Sequence, residues 1–309
     1  MLLSNKDSNI MSTLLRANEK DLIDFCYKFL RSKYNSDRVI RFEDEFVYAA
    51  GDIPVLLIAH LDTVLSKPPT KIYATEDRMI WTSPDTGLGA DDRAGVYAII
   101  KIILSGRKPS ILFTTGEEVG GLGAMTFVKM FPRPVSTTKY LVEIDRRGRG
   151  QSVYYDCGNK KFEEYINSVG GFTTHQGIFS DISFICPNWN VAGVNISAGY
   201  YNEHTKEETL NFNDLFYSID GINKLLDDAD NAQFFAFEAI PDTPYPINVI
   251  CDCCGYTVPY FSLTKVQEKK LCPNCVEKHV AWCLECGEPH FFLKEKPKKC
   301  EVCGGYELE

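Results

Sequence analysis

The sequence predicts an α/β fold, a mainly parallel sheet sandwiched by helices, followed by a small zinc-ribbon module. Three observations carry this. Buried-strand runs alternate with helical apolar stripes between residues 54 and 226, and polar residues able to hold metal stand at the ends of those runs. Nine of the 12 cysteines fall between Cys251 and Cys303. At 309 residues the chain can bury a full core and still carry an accessory module.

Each element has its own signal. Pro54 to Ala59 is a continuous apolar run ending at His60, and Ser110 to Thr115 is another ending just before Glu117. Lys139 to Ile144 ends at Asp145, and Val191 to Ser197 leads toward His204. Between them, Asp91 to Ser105 shows a helical stripe of Val96, Ile99, Ile100, Ile103 and Leu104. Leu122 to Phe131, Asn159 to Ser168 and Asn213 to Leu226 are the further helices. In such sheets ligands sit at the carboxyl ends of strands, where the polar candidates cluster.

Composition narrows the function classes. A net charge of −9 argues against general affinity for nucleic acid or an anionic membrane. The first thirty-odd residues mix apolar and charged positions as a surface helix does, unlike an export signal. Residues 182 to 202 carry no charge, but Pro187, Gly193 and Gly199 disfavour a membrane span. The expectation is a soluble, cytoplasmic protein with no membrane or nucleic-acid partner.

The cysteines place the domain boundaries. Residues 1–228 are expected to form the body, 229–248 with Pro241, Pro244 and Pro246 a linker, and 249–309 the ribbons. Four C-x-x-C knuckles, Cys251/Cys254, Cys272/Cys275, Cys283/Cys286 and Cys300/Cys303, pair in sequence into two four-thiolate structural zinc sites. Cys253 is left over as a possible substitute for Cys251. From Val249 onward the tail holds 8 lysines, no arginine and 9 acidic residues, so it lacks the basic face of a nucleic-acid ribbon. A protein partner or substrate presentation is the expected role.

Five patches carry the chemistry: His60-Leu61-Asp62, Asp91 to Gly95, Glu117-Glu118, Asp145 and His204. Carboxylates gathered in one pocket repel each other and stay protonated unless cations sit among them. Two divalent cations against Asp91, Glu118 and Asp145 sum to +4 − 3 = +1, a site able to bind hydroxide and polarise a carbonyl. Singly, each patch has a plainer reading. Asp91 alone reads as a helix cap, Asp145 beside Arg146-Arg147 as an ion pair, and His204 as an exposed loop residue. Their joint occurrence points to two-metal hydrolysis.

These residues resemble the co-catalytic two-zinc exopeptidases, a group that includes bacterial leucyl aminopeptidase, peptidase T and carboxypeptidase G. The matching motifs are His60-x-Asp-Thr63, Gly89-Ala-Asp-Asp-Arg-Ala-Gly95, Gly116-Glu-Glu118, Glu143-Ile-Asp145 and His204. The resemblance implies that Asp91 bridges two catalytic zinc ions, with His60 and Asp145 completing one site and Glu118 and His204 the other. It further implies that Asp62 buttresses His60, that Glu117 is the general base and acid, and that the Asp91-Asp92 peptide is cis. Ser180-Asp181 resembles a pair of the aminopeptidase branch. With only 58 residues between Asp145 and His204 there is no room for the lid that some relatives insert, so the compact aminopeptidase branch is expected. The substrate is expected to be a peptide with a free amino terminus. His175, Ser180, Asp181 and Tyr201 are the candidate substrate contacts, with Tyr200 and Phe179 as further pocket walls. The competing readings are an N-acyl amino acid deacylase or carboxypeptidase-type amidohydrolase, and a ribbon-bearing binding protein with an inactive body.

Overall fold

The computed structural model describes residues 3–134, 137–177, 179–238, 248–259, 262–286, 289–306 and 308. The chain divides into two units, Met1–Ala239 and Ile240–Glu309.

The first unit opens with two helices, α1 (Asn5–Arg16) and α2 (Glu19–Lys33), where the amphipathic start predicts one. Asn18 divides them, because its side chain accepts from the Asp21 amide at 2.8 Å and caps α2. There follow β1 (Val39–Phe42), β2 (Phe46–Ala49), β3 (Ile53–His60), β4 (Tyr73–Ala74), β5 (Ile80–Thr82), α3 (Ala90–Leu104), β6 (Pro109–Thr114), α4 (Leu122–Met130) and β7 (Tyr140–Arg146). Then come β8 (Gln151–Val153), α5 (Lys160–Gly170), β9 (Thr173–His175), α6 (Ile182–Trp189), β10 (Gly193–Ser197), β11 (Tyr200–Tyr201), β12 (Thr209–Asn211) and α7 (Phe212–Asp227).

The main sheet runs β1-β2-β6-β3-β7-β10-β8-β9. Its four central strands, β6, β3, β7 and β10, are mutually parallel. The strands β1, β2 and β8 are antiparallel to the neighbours through which they join this centre, an edge arrangement that periodicity did not announce. Helices cover both faces. Val55, Leu57 and Ala59 of β3 enter the core formed with α1, α3, α5 and α7, whereas Leu56 and Ile58 are buried on the face of α4 and α6. The strand therefore reads as one apolar run, as a strand covered twice must. A second, antiparallel sheet, β11-β12-β5-β4, closes the side next to α3.

Helix α6 is absent from the sequence reading for a physical reason. Its residues Ile182, Phe184, Ile185, Cys186 and Trp189 are buried on several sides and Pro187 interrupts it, so it carries no amphipathic period.

The expected linker starts too early. Ala229, Ala232 and Phe235 are buried in the core of the first unit, the Phe235 amide donates to the Lys139 carbonyl at 3.0 Å, and its carbonyl accepts from Ala192 at 2.8 Å. Residues 229–235 thus belong to the body, because these backbone bonds and the aromatic contacts of Phe235 with Tyr140 and Phe162 hold them there. The prolines 241, 244 and 246 lie outside the described residues.

Among its described residues the second unit holds three hairpins and one helix: β13 (Asn248–Ile250) with β14 (Thr257–Pro259), β15 (Thr264–Val266) with β16 (Lys269–Leu271), α8 (Pro273–His279), and β17 (Val280–Trp282) with β18 (Pro289–Phe291). Among the described residues no helix is long and apolar enough to cross a membrane.

Candidate active site

Parallel neighbours β3 and β7 bring His60 and Asp145 to the same end of the sheet, since Ile58 pairs with Glu143. The turn after β6 adds Glu117 and Glu118. Asp91 comes from the top of α3, where it is held out of helical geometry (φ −78°, ψ 107°), and the Asp91-Asp92 bond is cis as the resemblance implies. Its carboxylate faces His60 and His204, and the hydrogen bond that caps α3 is made by Asp92 Oδ1, which accepts from the Gly95 amide at 2.9 Å. Gly95 explains how close α3 can come: a Cβ there would collide with the Ile144 carbonyl of β7, the strand that carries Asp145.

The imidazoles lie among carboxylates. His60 Nδ1 is 3.2 Å from Asp62 Oδ1, and its Nε2 is 3.2 Å from Asp91 Oδ1 and 3.4 Å from Asp145 Oδ1. His204 Nε2 is 3.1 Å from Asp91 Oδ2 and 3.0 Å from Glu118 Oε1. Two triads result, His60/Asp91/Asp145 and Asp91/Glu118/His204, each with donor atoms within 4.8 Å of one another. Asp62 ties two patches together, its oxygens accepting from the amides of Glu117 (3.2 Å) and Glu118 (3.0 Å). Asp92, the sixth carboxylate, accepts from the amides of Gly95 and His60 and so faces inward.

Electrostatics follow from this crowding. Burial raises Glu117 well above the ordinary carboxylate range, and burial with the Asp91 charge pushes Asp145 up to about 6. Burial alone would also raise Asp91, but hydrogen bonds from His204 and His60 prevail and lower it. The bonds to Asp91 and Glu118 hold His204 up to about 10, and Asp145 lifts His60 against the opposing effect of its burial.

The structure redistributes the candidate substrate contacts. Ser180 and Asp181 are fully buried, so neither can touch a substrate. Ser180 Oγ donates to Asp145 Oδ2 at 3.2 Å, and Asp181 accepts a short hydrogen bond from Thr114. They brace the sheet end from within. Tyr201 also turns away, donating to Asp214 at 2.7 Å; its neighbour Tyr200 is the one that donates to Asp145 Oδ1, at 3.0 Å. Alternation along a strand separates the two tyrosines. His175 is exposed at the end of β9, paired with Val153, which in turn pairs with Asn195; it lies two strands out from the residue that donates to Asp145.

Three supports escaped the sequence reading. Asn195 accepts from the Asp145 amide at 2.8 Å. Glu143 receives the amides of Asp181 and Ile182 at the start of α6. Glu208, 2 % exposed, accepts from the amides of Leu88 (3.1 Å), Gly89 (2.6 Å) and Asp91 (3.1 Å). No local motif marks Glu208.

In the second unit, Cys251, Cys254, Cys272 and Cys275 form one four-thiol cluster and Cys283, Cys286, Cys300 and Cys303 the other. Cys251 completes the first; Cys253 is not one of its four thiols, although its side chain hydrogen-bonds Cys275. Sulfur separations of 3.7 Å (Cys254 to Cys272) and 3.6 Å (Cys283 to Cys303, Cys286 to Cys300) exceed a disulfide by far. They match the roughly 3.8 Å edge of a tetrahedron with zinc–sulfur bonds of about 2.3 Å. His290, buried, lies 3.2 Å from Cys300 Sγ through Nε2, a hydrogen bond the spacing alone could not announce.

The fold has the architecture of the co-catalytic zinc exopeptidases, and the cysteine clusters of the second unit fit tandem zinc ribbons. The family profile "Peptidase family M28" matches residues 47–178 and, with the fold, supports a metal-dependent peptidase. Among solved structures, the chain is similar to the aminopeptidase PepT of Bacillus cereus ATCC 10987 (15 % identity, TM-score 0.59, covering 74 % of this chain and 99 % of that one). It is similar also to a tripeptidase of Staphylococcus aureus subsp. aureus Mu50 (14 %, 0.58, 75 % and 100 %) and to the TET aminopeptidase of Thaumarchaeota archaeon SCGC AB-539-E09 (12 %, 0.55, 74 % and 99 %). No curated protein matches the sequence.

Proposed function

We propose that the first unit is an aminopeptidase that removes amino-terminal residues from peptides at a two-zinc site. The observation that carries this reading is the division of Asp91, whose Oδ1 faces His60 and whose Oδ2 faces His204. One carboxylate thereby serves both triads. The donor set fits: imidazole nitrogens and carboxylate oxygens are ordinary zinc ligands, and two divalent charges offset the carboxylates gathered here. When bound, the ions supply Lewis acidity toward a peptide carbonyl and acidify water.

The side chains do the rest. Glu117, raised by burial, takes a proton from the attacking water at its carboxylate and returns it to the leaving amine. Asp62 holds His60 through Nδ1 and, through the amides of residues 117 and 118, keeps the base beside the metal ligands. Tyr200, Ser180 and Asn195 orient Asp145. A free substrate ammonium suits a cleft this rich in carboxylate, and the aminopeptidases that share the fold support the same choice. The ribbons, free of arginine and not basic, are proposed to dock a protein partner, and eight cysteines spaced for zinc rather than for disulfides support a cytoplasmic reading.

Comparing leucine p-nitroanilide with its N-acetyl derivative tests the reading. The unblocked compound should be cleaved and the blocked one spared; the reverse would establish a deacylase. Glu117→Gln should lose about 10² to 10⁴ in turnover while zinc stays bound, and retention of more than about a tenth would remove Glu117 as the base.

A further inference from the structure

Arg93 belongs to the Asp-Asp-Arg motif, yet nothing in the proposed chemistry uses it. It is 3 % exposed. Its Nη2 donates to the Ala17 carbonyl at 3.4 Å, while Nη1 has no hydrogen-bond partner among the described residues. A buried guanidinium with an idle donor is expensive, because it loses water and gains no acceptor.

Arg93 is one of the residues lining a cavity of about 210 Å³ between the α1–α2 junction and the loop after β3. At about 30 Å³ per water, that is space for roughly seven waters, which suits one small molecule and not a chain. Its polar lining includes Glu19, which is solvent-exposed, with Asn18, Thr63 and Ser66; its apolar lining is Leu15, Ala17, Leu65, Pro68 and Pro69. One cationic and one anionic group thus face an apolar wall.

We propose that this cavity binds a free α-amino acid with an apolar side chain, its carboxylate on Arg93, its ammonium on Glu19 and its side chain against Leu15 and Leu65. A zwitterion matches both charges and adds none. A simple anion would leave Glu19 facing like charge, and a simple cation would do the same to Arg93. The assignment stands on the cavity alone and holds whichever substrate the catalytic site prefers.

Calorimetric titration of L-leucine into the full-length protein tests it. Leucinamide, which lacks the carboxylate, and 4-methylpentanoate, which lacks the ammonium, should each bind at least about tenfold more weakly. Ala17→Trp, which fills the cavity, and Glu19→Gln should weaken leucine to the same degree; both alter residues outside the catalytic machinery, and neither depends on a buried arginine variant folding. Arg93→Lys, where it folds, should lose the preference for leucine over leucinamide, because an ammonium cannot reproduce the planar fork. Leucine binding that is unchanged in Ala17→Trp and Glu19→Gln would belong to another surface and overturn the assignment. So would the absence of binding up to about 10 mM.

Discussion

Replacing Glu208 by glutamine asks how much of the site depends on a residue that touches neither metal donors nor substrate. Its Oε2 accepts the amides of Leu88 and Gly89, and its Oε1 that of Asp91. Glutamine keeps one acceptor oxygen and turns an NH₂ toward the remaining donors, so one or two charge-assisted hydrogen bonds are lost and a buried N–H is left facing another. At about 1.5–3 kcal/mol for each such bond, the cost is about 1.5–6 kcal/mol. In a body of this size that lowers Tm by about 3–24 °C. Because the released amides precede and include Asp91, metal affinity should fall about 10- to 100-fold as well. Differential scanning calorimetry of the chelated protein and competition with a chromogenic zinc chelator read the two effects separately. A Glu208→Gln protein within about 0.5 kcal/mol of the parent in stability and equal to it in zinc affinity would refute the view that Glu208 sets the Asp91 loop.

Further outcomes follow from the same structure. His204, held up to about 10 by Asp91 and Glu118, must shed its proton before it can ligate. The proton is bound below that value and competes with metal, so affinity should rise with pH, about tenfold per unit for each proton displaced between about pH 6 and 8; a flat profile by chelator competition would contradict the charge balance. Full-length protein should carry near four zinc ions by elemental analysis, and a chain ending after residue 239 near two, with turnover of small unblocked substrates retained. Ending the chain before Phe235 should instead destabilise the body, since both backbone groups of Phe235 are bonded there; equal thermal stability of the two truncations would contradict that placement. Gly95→Val should cost at least about 1–3 kcal/mol by overpacking and weaken zinc binding, because α3 must back away from Ile144; unchanged metal affinity would show that this approach does not position Asp91.

What was legible in the sequence follows the strength of each physical signal. β3, β6 and β7 are strands buried on two faces, so continuous apolar runs mark them; α7 packs one stripe on the sheet, and α3, buried on nearly every side, shows through the length of its apolar run. The antiparallel edges and α6 leave no such trace, the first because short strands borrow their context from neighbours and the second because it is buried on several sides. In the site, His60, Asp91, Glu118, Asp145 and His204 converge because each polar residue sits where an apolar run stops. Glu208 was invisible. Its partners are backbone amides 117 to 120 residues away, and in Thr205-Lys206-Glu207-Glu208 a glutamate has every reason to be solvated. Tyr200 and Tyr201 were indistinguishable until strand alternation assigned one to Asp145 and the other to Asp214.

The two triads differ in one respect that sequence order conceals. The His60 side chain is 1 % exposed and that of His204 is 48 % exposed, on a loop residue with φ 63°. On the two-ion reading, His204 would be the ligand first reached from solvent, and Asp91, with one oxygen toward each side, would link it to the enclosed triad. Loading would then be ordered, and unloading would retrace the path. A chain starved of metal or dialysed against a mild chelator would hold a single ion on the His60 side, leaving His204 free to take a proton again, so that partial occupancy is a defined half-loaded species and not a random mixture.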